Sequence, residues 1–557
     1  GLMKRICELV VSLVFLAMAV SMVFAAPVEG DKPEAGDSAQ GKAVNSRTVV
    51  GNCYPTRLNT QRFTYFNNLK TMKPWRKDMK GRVTGTKLEP NEMRITFMGS
   101  ANPQARRAQN EMSIFVEVGW DNVKQQPLDQ FIFDCGLGVT ANYQACGVGF
   151  SRMDKIFLNH LHADHFNDLI QVYCFGPSGD RKSPQYVWGP SPSGVPNPGM
   201  NPLLDPSKFV QNLYADTPAF YNDGLTAFCQ YLREMSRWHT ESFAFQNTAY
   251  MSYPFPNDIQ TLWGLPSLPV PVSDDPPQDA YALIPIELDW TKTGLDADGK
   301  PTGDNIAYNN AATGAKVMHY PVIHARKGSL GYKLEWTPPG ASKPLTMVYS
   351  SDTKPETNSI NHAINKDENG VARGVDIFIH EMVPPAEIWA MLNQGLSKPG
   401  NANDPVWQAT VRASTNVQNS SHTPQGAFGY MLSQIYPRPR LTVATHFPTS
   451  DDTVACALKS VRAHCPDIRK QGDKIIWSFD LMVLRVFPDR ILQRRAGVND
   501  FTYNPPTPNI HQDLYPAKYH TNTGSGDAYI QLELQDQILS TEEGGANGAP
   551  TYRKDGY

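Results

Sequence analysis

Three imidazoles and a carboxylate fall within six positions in Asn159-His160-Leu161-His162-Ala163-Asp164-His165, directly after the apolar run Lys155-Ile156-Phe157-Leu158. The whole chain of 557 residues holds 13 His, so three in six positions is not a chance arrangement. Neutral imidazole and carboxylate suit borderline divalent ions such as zinc. A turn leaving a strand can aim alternate residues, His160 and His162, at one ion. It then aims the next pair, Asp164 and His165, at a second. The strand therefore ends at a crevice, the usual ligand edge of an α/β sheet.

Around this motif, short β-rich runs recur at 94–98, 113–118, 131–134 and 155–158, then at 330–336, 345–350, 375–379, 441–445 and 474–486. Helical stretches separate them, which gives an α/β class. Thr423-Pro424 marks one helix start. Residues 191–316 interrupt the pattern. They read as one helix, opened by Thr217-Pro218 and carrying Tyr221, Leu225, Phe228, Leu232 and Met235, with loop elsewhere. This segment holds 6 Lys or Arg against 14 Asp or Glu, a net charge of −8.

The length exceeds one ordinary core, so two domains or a core with large insertions is expected. A near balance of 51 basic and 54 acidic residues excludes an overall polycation. Lys4-Arg5 followed by an apolar run to Ala26 reads as a secretory signal peptide over 1–26, with a periplasmic or secreted product and no membrane anchor after cleavage. Without Cys7, seven Cys remain. No CxxC occurs, and Cys456 and Cys465 are close enough in sequence to pair.

The H-x-H-x-D-H order resembles the signature of the metallo-β-lactamase superfamily, and the chain is similar to its ribonuclease Z-like branch. Ile95 to Ser100 with Arg106, Phe133-Asp134-Cys135-Gly136, Val187-Trp188-Gly189-Pro190, Val322-Ile323-His324, Tyr349 to Thr353, Asp376 to Glu381, Ser421-His422-Thr423 and Ala444 to Phe447 follow in the family's order. The resemblance implies an αβ/βα sandwich with its metals at one edge. Its halves would be 93–190 and 317–487, around an inserted segment 191–316. An N-terminal extension at 27–92 and a C-terminal extension at 488–557 would flank them. It also implies two divalent ions, zinc, with His160, His162 and His324 on one, Asp164, His165 and His446 on the other, and Asp352 between them.

Two such ions lower the pKa of a shared water and stabilise charge on the attacked centre. Asp164, His422 and Glu381 are the candidate catalytic residues. His422 would donate a proton to the leaving group, or bond the substrate's oxyanion. The start of the following helix would disfavour imidazolium there, and Glu381 would offset that. His380 could be structural. Ser351 stands where the family commonly has Gly.

The expected function is an exported binuclear hydrolase, a phosphodiesterase acting on a small-molecule ester. Arylsulfatase or lactonase-type ester hydrolysis is the alternative, and a non-catalytic metal-binding module a third. With a net −8 insertion, no nucleic acid partner is expected, while an oligomer is possible. Residues 191–316 would form a lid over the metal edge, walled by Trp238, Phe243, Phe245, Tyr250, Tyr253, Phe255 and Trp263. Alternatively these aromatics bury the insertion's own core or an oligomer interface.

Overall fold

Most of the apolar runs become strands buried on both faces, because helices cover the outside of each sheet while the inside meets the other sheet. The computed structural model describes residues 71–72, 76–77, 83–84, 87–103, 109–195, 221–243, 256–271, 280–396, 398–448, 454–471 and 474–497. The first sheet holds β1 (Met93–Gly99), β2 (Ser113–Val118), β3 (Asp129–Phe133), β4 (Lys155–Phe157), β5 (Gln185–Pro190) and β6 (Leu283–Leu288). The second holds β7 (Ile306–Asn310), β8 (Ala315–Pro321), β9 (Leu330–Trp336), β10 (Leu345–Tyr349), β11 (Ile377–Glu381), β12 (Leu441–Thr445) and β13 (Ile475–Trp477). The chain then returns to the first sheet with β14 (Met482–Val486) and β15 (Ile491–Ala496).

The order in the first sheet is β15-β14-β1-β2-β3-β4-β5-β6, with Thr71–Met72 outside β15; the second runs β7 to β13 in sequence. Strands β3 to β6 are mutually parallel, as are β10 to β13. Both sheets belong to one unit; the other, residues 77–82 and 503–557, falls almost wholly outside the described residues.

Strand alternation assigns the layers. Phe131, Phe133, Phe157 and Trp188 of the first sheet meet Tyr332, Trp336, Tyr349 and Ile379 of the second in the central core. Phe157 and Trp188 stack at 4.4 Å. Ile132, Ile156 and Val187 point the other way, onto α1 (Val139–Ala145), a short helix α2 (Ala163–Phe166), α3 (Leu169–Phe175) and α4 (Leu225–Met235). Val348, Phe378 and Ala444 pack outward under further helices, among them α5 (Thr357–Ile364). The result is the αβ/βα sandwich that the resemblance implied.

Several boundaries differ from the sequence reading. Within 191–316, β6 extends the first sheet, and β7 and β8 belong to the second, so loop does not fill that segment. The signal was present in the apolar run Leu283–Leu288, but Pro-rich flanks hid it. Helix α4 starts after Gly224, with Tyr221 ahead of it, and Thr217-Pro218 lies outside the described residues. The run 474–486 is two strands in different sheets: Ser478 to Leu481 turn the chain, and Leu481 has a φ of 67°. The fold continues past 488 through β15, and Leu88 and the Thr71–Met72 strand join it before 93. Trp263 lies in the central core, 4.7 Å from Tyr186, and walls no crevice. Trp238 is exposed, and the side chains of the other proposed lid aromatics lie outside the described residues. The 1–26 segment does too; among the described residues no helix is long and apolar enough to cross a membrane. Cys465 is a free thiol directed at Asp467.

Candidate metal centre

Strand ends deliver the donors to one edge. The turn with His160 and His162 follows β4 and leads into the short helix α2, which carries Asp164 and His165; His324 follows β8, Asp352 follows β10, Glu381 ends β11 and His446 follows β12. Ring nitrogens of His160, His162 and His324 lie within 4.8 Å of one another, and so do donor atoms of Asp164, His165, Asp352 and His446. Asp164 Oδ2 is 3.2 Å from both His165 Nε2 and His446 Nε2. Asp352 spans the two clusters, 3.5 Å from His165, 3.3 Å from His446 and 4.0 Å from His324. The structure thus brings all seven candidate donors together, in two groups with the composition that the resemblance implied.

These residues suit cations. Both ring nitrogens of His160 and Asp352 Oδ1 are buried without a hydrogen-bond partner. A buried polar atom left so costs about 1–3 kcal/mol, unless a further group binds there. Burial holds His160 well below the usual histidine range and pushes His324 down to about 4, so their lone pairs are free to coordinate. Burial opposes charge on His165 too, but Asp164 and Asp352 raise it well above the usual range. The second cluster therefore demands positive charge.

A further set of contacts orients the donors. Asp134, absent from the expected site residues although its motif was recognised, accepts from His165 Nδ1 at 2.8 Å, the Tyr349 hydroxyl at 2.7 Å and the Asn159 amide at 3.0 Å. His324 Nδ1 lies 2.8 Å from the Ser421 carbonyl, an interaction no side-chain pattern could announce. Asp134, Ser351 and His446 have φ of 61°, 57° and 55°, and such left-handed backbone collects at functional sites.

Beyond β11 the chain forms a helical hairpin, α6 (Ala386–Gln394) and α7 (Pro405–Ser421), and then α8 (Gln425–Gln434). His422 follows α7 directly, and its amide bonds to Gln418 O. The helix end at His422 is thus the negative C-terminus of α7, which favours imidazolium, contrary to the expectation drawn from the Thr423-Pro424 start. Glu381 Oε2 is 2.9 Å from His422 Nδ1, while its Oε1 accepts from the Thr353 amide. Burial works against the charge, but Glu381 wins and raises His422 to about 9. His380 points away between Phe378 and Phe428 and bonds Glu381 O, a structural role.

The segment after β5 is clasped to this edge. Asp223 accepts from Ser193, and from Arg326 Nε at 2.6 Å, two residues beyond His324.

No family model matches the chain. It is 34% identical over 97 residues to ribonuclease Z of Archaeoglobus fulgidus, covering 17% of this chain and 29% of that protein. It is 30% identical over 99 residues to ribonuclease BN of Proteus mirabilis, covering 18% and 31%. The matches thus span less than a third of these relatives' length. Similar solved structures include the metallo-β-lactamase fold protein YhfI of Bacillus subtilis (12% identity, TM-score 0.36, 71% of this chain and all of that one). Another is a long-form RNase Z from yeast (14%, 0.35, 73% and 43%). The expectation that nucleic acid is excluded does not stand, since the matched relatives are ribonucleases by name. Charge summed over 191–316 was a poor guide: part of that segment is sheet, and ions at the site would dominate the local field. In the order of its strands, in the donors gathered at their ends and in its ribonuclease Z matches, this chain is similar to the ribonuclease Z-like branch of the metallo-β-lactamase superfamily.

Proposed function

We propose that the chain is a binuclear metal-dependent phosphodiester hydrolase. The observation that carries this reading is the Glu381–His422 pair, 2.9 Å apart, set beside the donor clusters with His422 Nδ1 3.9 Å from Asp352. His160, His162 and His324 would hold one ion, Asp164, His165 and His446 the other, with Asp352 shared. Bound there, the ions supply an activated water and positive charge at the attacked centre. Glu381 engages His422 through Nδ1, which leaves Nε2 as the atom that faces substrate. Held protonated up to about pH 9, His422 delivers the Nε2 proton to the leaving oxygen as its bond breaks. Thr353, bonded to Glu381 through its amide, keeps that carboxylate in register with Asp352. The ribonuclease names of the matched relatives favour phosphorus over sulfur or carbonyl carbon as the attacked centre, with RNA among the substrates to try.

The test uses the full chain loaded with zinc. Bis(p-nitrophenyl) phosphate, a short single-stranded RNA, p-nitrophenyl sulfate and an aryl lactone are compared, with and without chelator. Metal-dependent turnover of a phosphodiester, lowered 100-fold or more in His422→Ala, is expected. Turnover confined to the sulfate or the lactone overturns the reading.

A further inference from the structure

The hairpin of α6 and α7 lies between Glu381 and His422 in sequence and holds His422 at its end. Its own small core is Ile388, Ala390, Met391 and Trp407. Trp389 is not in that core. It is half-buried, and its indole meets the His422 ring edge-on, with centroids 6.2 Å apart at 85°. Leu392 and Leu396, three and seven residues on, are 48% and 38% exposed. Leu392 shares a side of the helix with Trp389, while Leu396 lies just past the Gly395 cap that ends it, so Trp389 and Leu392 set apolar surface beside the candidate proton donor. The ring of His324 also lies near His422, at 5.1 Å, and Ile323 beside it is 54% exposed.

We infer that Trp389 is a specificity-determining residue that stacks an aromatic ring of the substrate's leaving group. The inference rests on His422 as donor to the leaving oxygen, because the group next to a proton donor is the one that departs. An indole offers a flat face and large apolar area with few rotatable bonds, and rings pack on it in offset or edge-on geometry. A methyl leaving group could not use that face. The ring could be a simple aryl group or a nucleobase; both present a π-face at the distance of one ester linkage or a ribose.

The test is binding, which separates this claim from turnover. Zinc-loaded full-length protein is titrated calorimetrically with methyl phosphate, phenyl phosphate and uridine monophosphate. The wild type should bind phenyl phosphate or uridine monophosphate at least about 10-fold more tightly than methyl phosphate, and which of the two gains identifies the ring. Trp389→Ala should reduce that preference to about twofold or less, and Trp389→Phe should keep most of it. Circular dichroism and zinc content must match the wild type. Should Trp389→Ala misfold, the decision passes to Trp389→Phe and Trp389→Leu, similar in bulk but only one of them aromatic. Equal affinity for all three ligands in the wild type, or a preference that survives loss of the ring, overturns the inference. A ring preference with no hydrolysis of any ester would instead overturn the hydrolase reading and leave Trp389 as a ring-binding residue.

Discussion

The Ser421 carbonyl oxygen lies 2.8 Å from Nδ1 of His324. A carbonyl only accepts, so Nδ1 carries the proton and Nε2 is left bare toward His162 and Asp352. The last turn of α7 thus sets the tautomer of one candidate metal donor while the next residue, His422, is the candidate acid. Asp134 does the same for His165, through a carboxylate that also holds Tyr349. Partners of this kind fix ring orientation and raise donor basicity.

Two ions per chain are therefore expected on metal analysis of zinc-loaded protein. His160→Ala should lose the ion of the first cluster, and Asp352→Ala should weaken both. Asp134→Asn keeps the shape but exchanges an acceptor-only group for an amide. Its zinc affinity at the second cluster should fall about 10–100-fold, measured by competition with a chromogenic chelator. Full metal retention in a His160→Ala/Asp352→Ala double variant would sink the assignment.

Activity should depend on pH through His422. Its folded value of about 9 lies above the ordinary 6.5, so the acid form is present at neutral pH and disappears as pH rises through about 9. Glu381→Gln removes the attraction that overcomes burial. The basic limb of the kcat/KM profile on a phosphodiester should then move down by about 2 units or more. An unmoved limb would show that His422 is not the acid.

What was legible in the sequence divides along physical lines. The seven candidate donors came from two sources: side-chain chemistry singles out His160 through His165 in one turn, whereas His324, Asp352 and His446, each after an apolar run, were picked out through the family resemblance. The α/β class was readable because apolar runs such as Phe131-Ile132-Phe133 alternate with helical stretches, while the layered sandwich came through the resemblance. The end of α7 was not readable, because what it contributes is a backbone carbonyl and a helix terminus, and the Thr423-Pro424 pair drew attention to the wrong helix end. Nor was β6, whose Leu283–Leu288 run includes Pro285 between Pro- and Asp-rich stretches. Its place at the sheet edge is what tolerates that proline.

Ser351 tests the backbone at the site. Its φ of 57° lies in the left-handed region, which costs an ordinary residue about 1–2 kcal/mol, and this explains why the family commonly has Gly there. Its hydroxyl is 3.5 Å from Asp134 Oδ2, too long to compensate well. Ser351→Gly should unfold no earlier than the wild type in urea and retain both ions. Ser351→Val, β-branched at positive φ, should lose about 2 kcal/mol. If Val were tolerated as well as Gly, the strain argument would fail.

The outer face of the second sheet predicts an acid-sensitive stability independent of metal. His362, on the helix Thr357–Ile364, lies flat on Tyr320 at 4.2 Å, with Nε2 2.9 Å from the Thr293 carbonyl. Burial pushes it down to about 3, helped by the nearby Lys333 charge, and burial takes His319 on β8 down to about 4. Unfolded, both return to about 6.5. Between those limits the unfolded chain binds more protons than the folded one, so stability rises with pH. The contribution is whole above about 6.5 and is lost progressively as pH falls toward the folded values. One such group costs about 2 kcal/mol by pH 5. Urea unfolding of chelator-treated protein at pH 7.5 and pH 5 should show that loss. His362→Phe keeps a ring on Tyr320 but cannot take a proton. It should be less stable at pH 7.5, because the Thr293 carbonyl loses its donor, yet lose about 2 kcal/mol less than the wild type on going to pH 5. An identical drop in the two proteins would mean that His362 does not govern the acid limb.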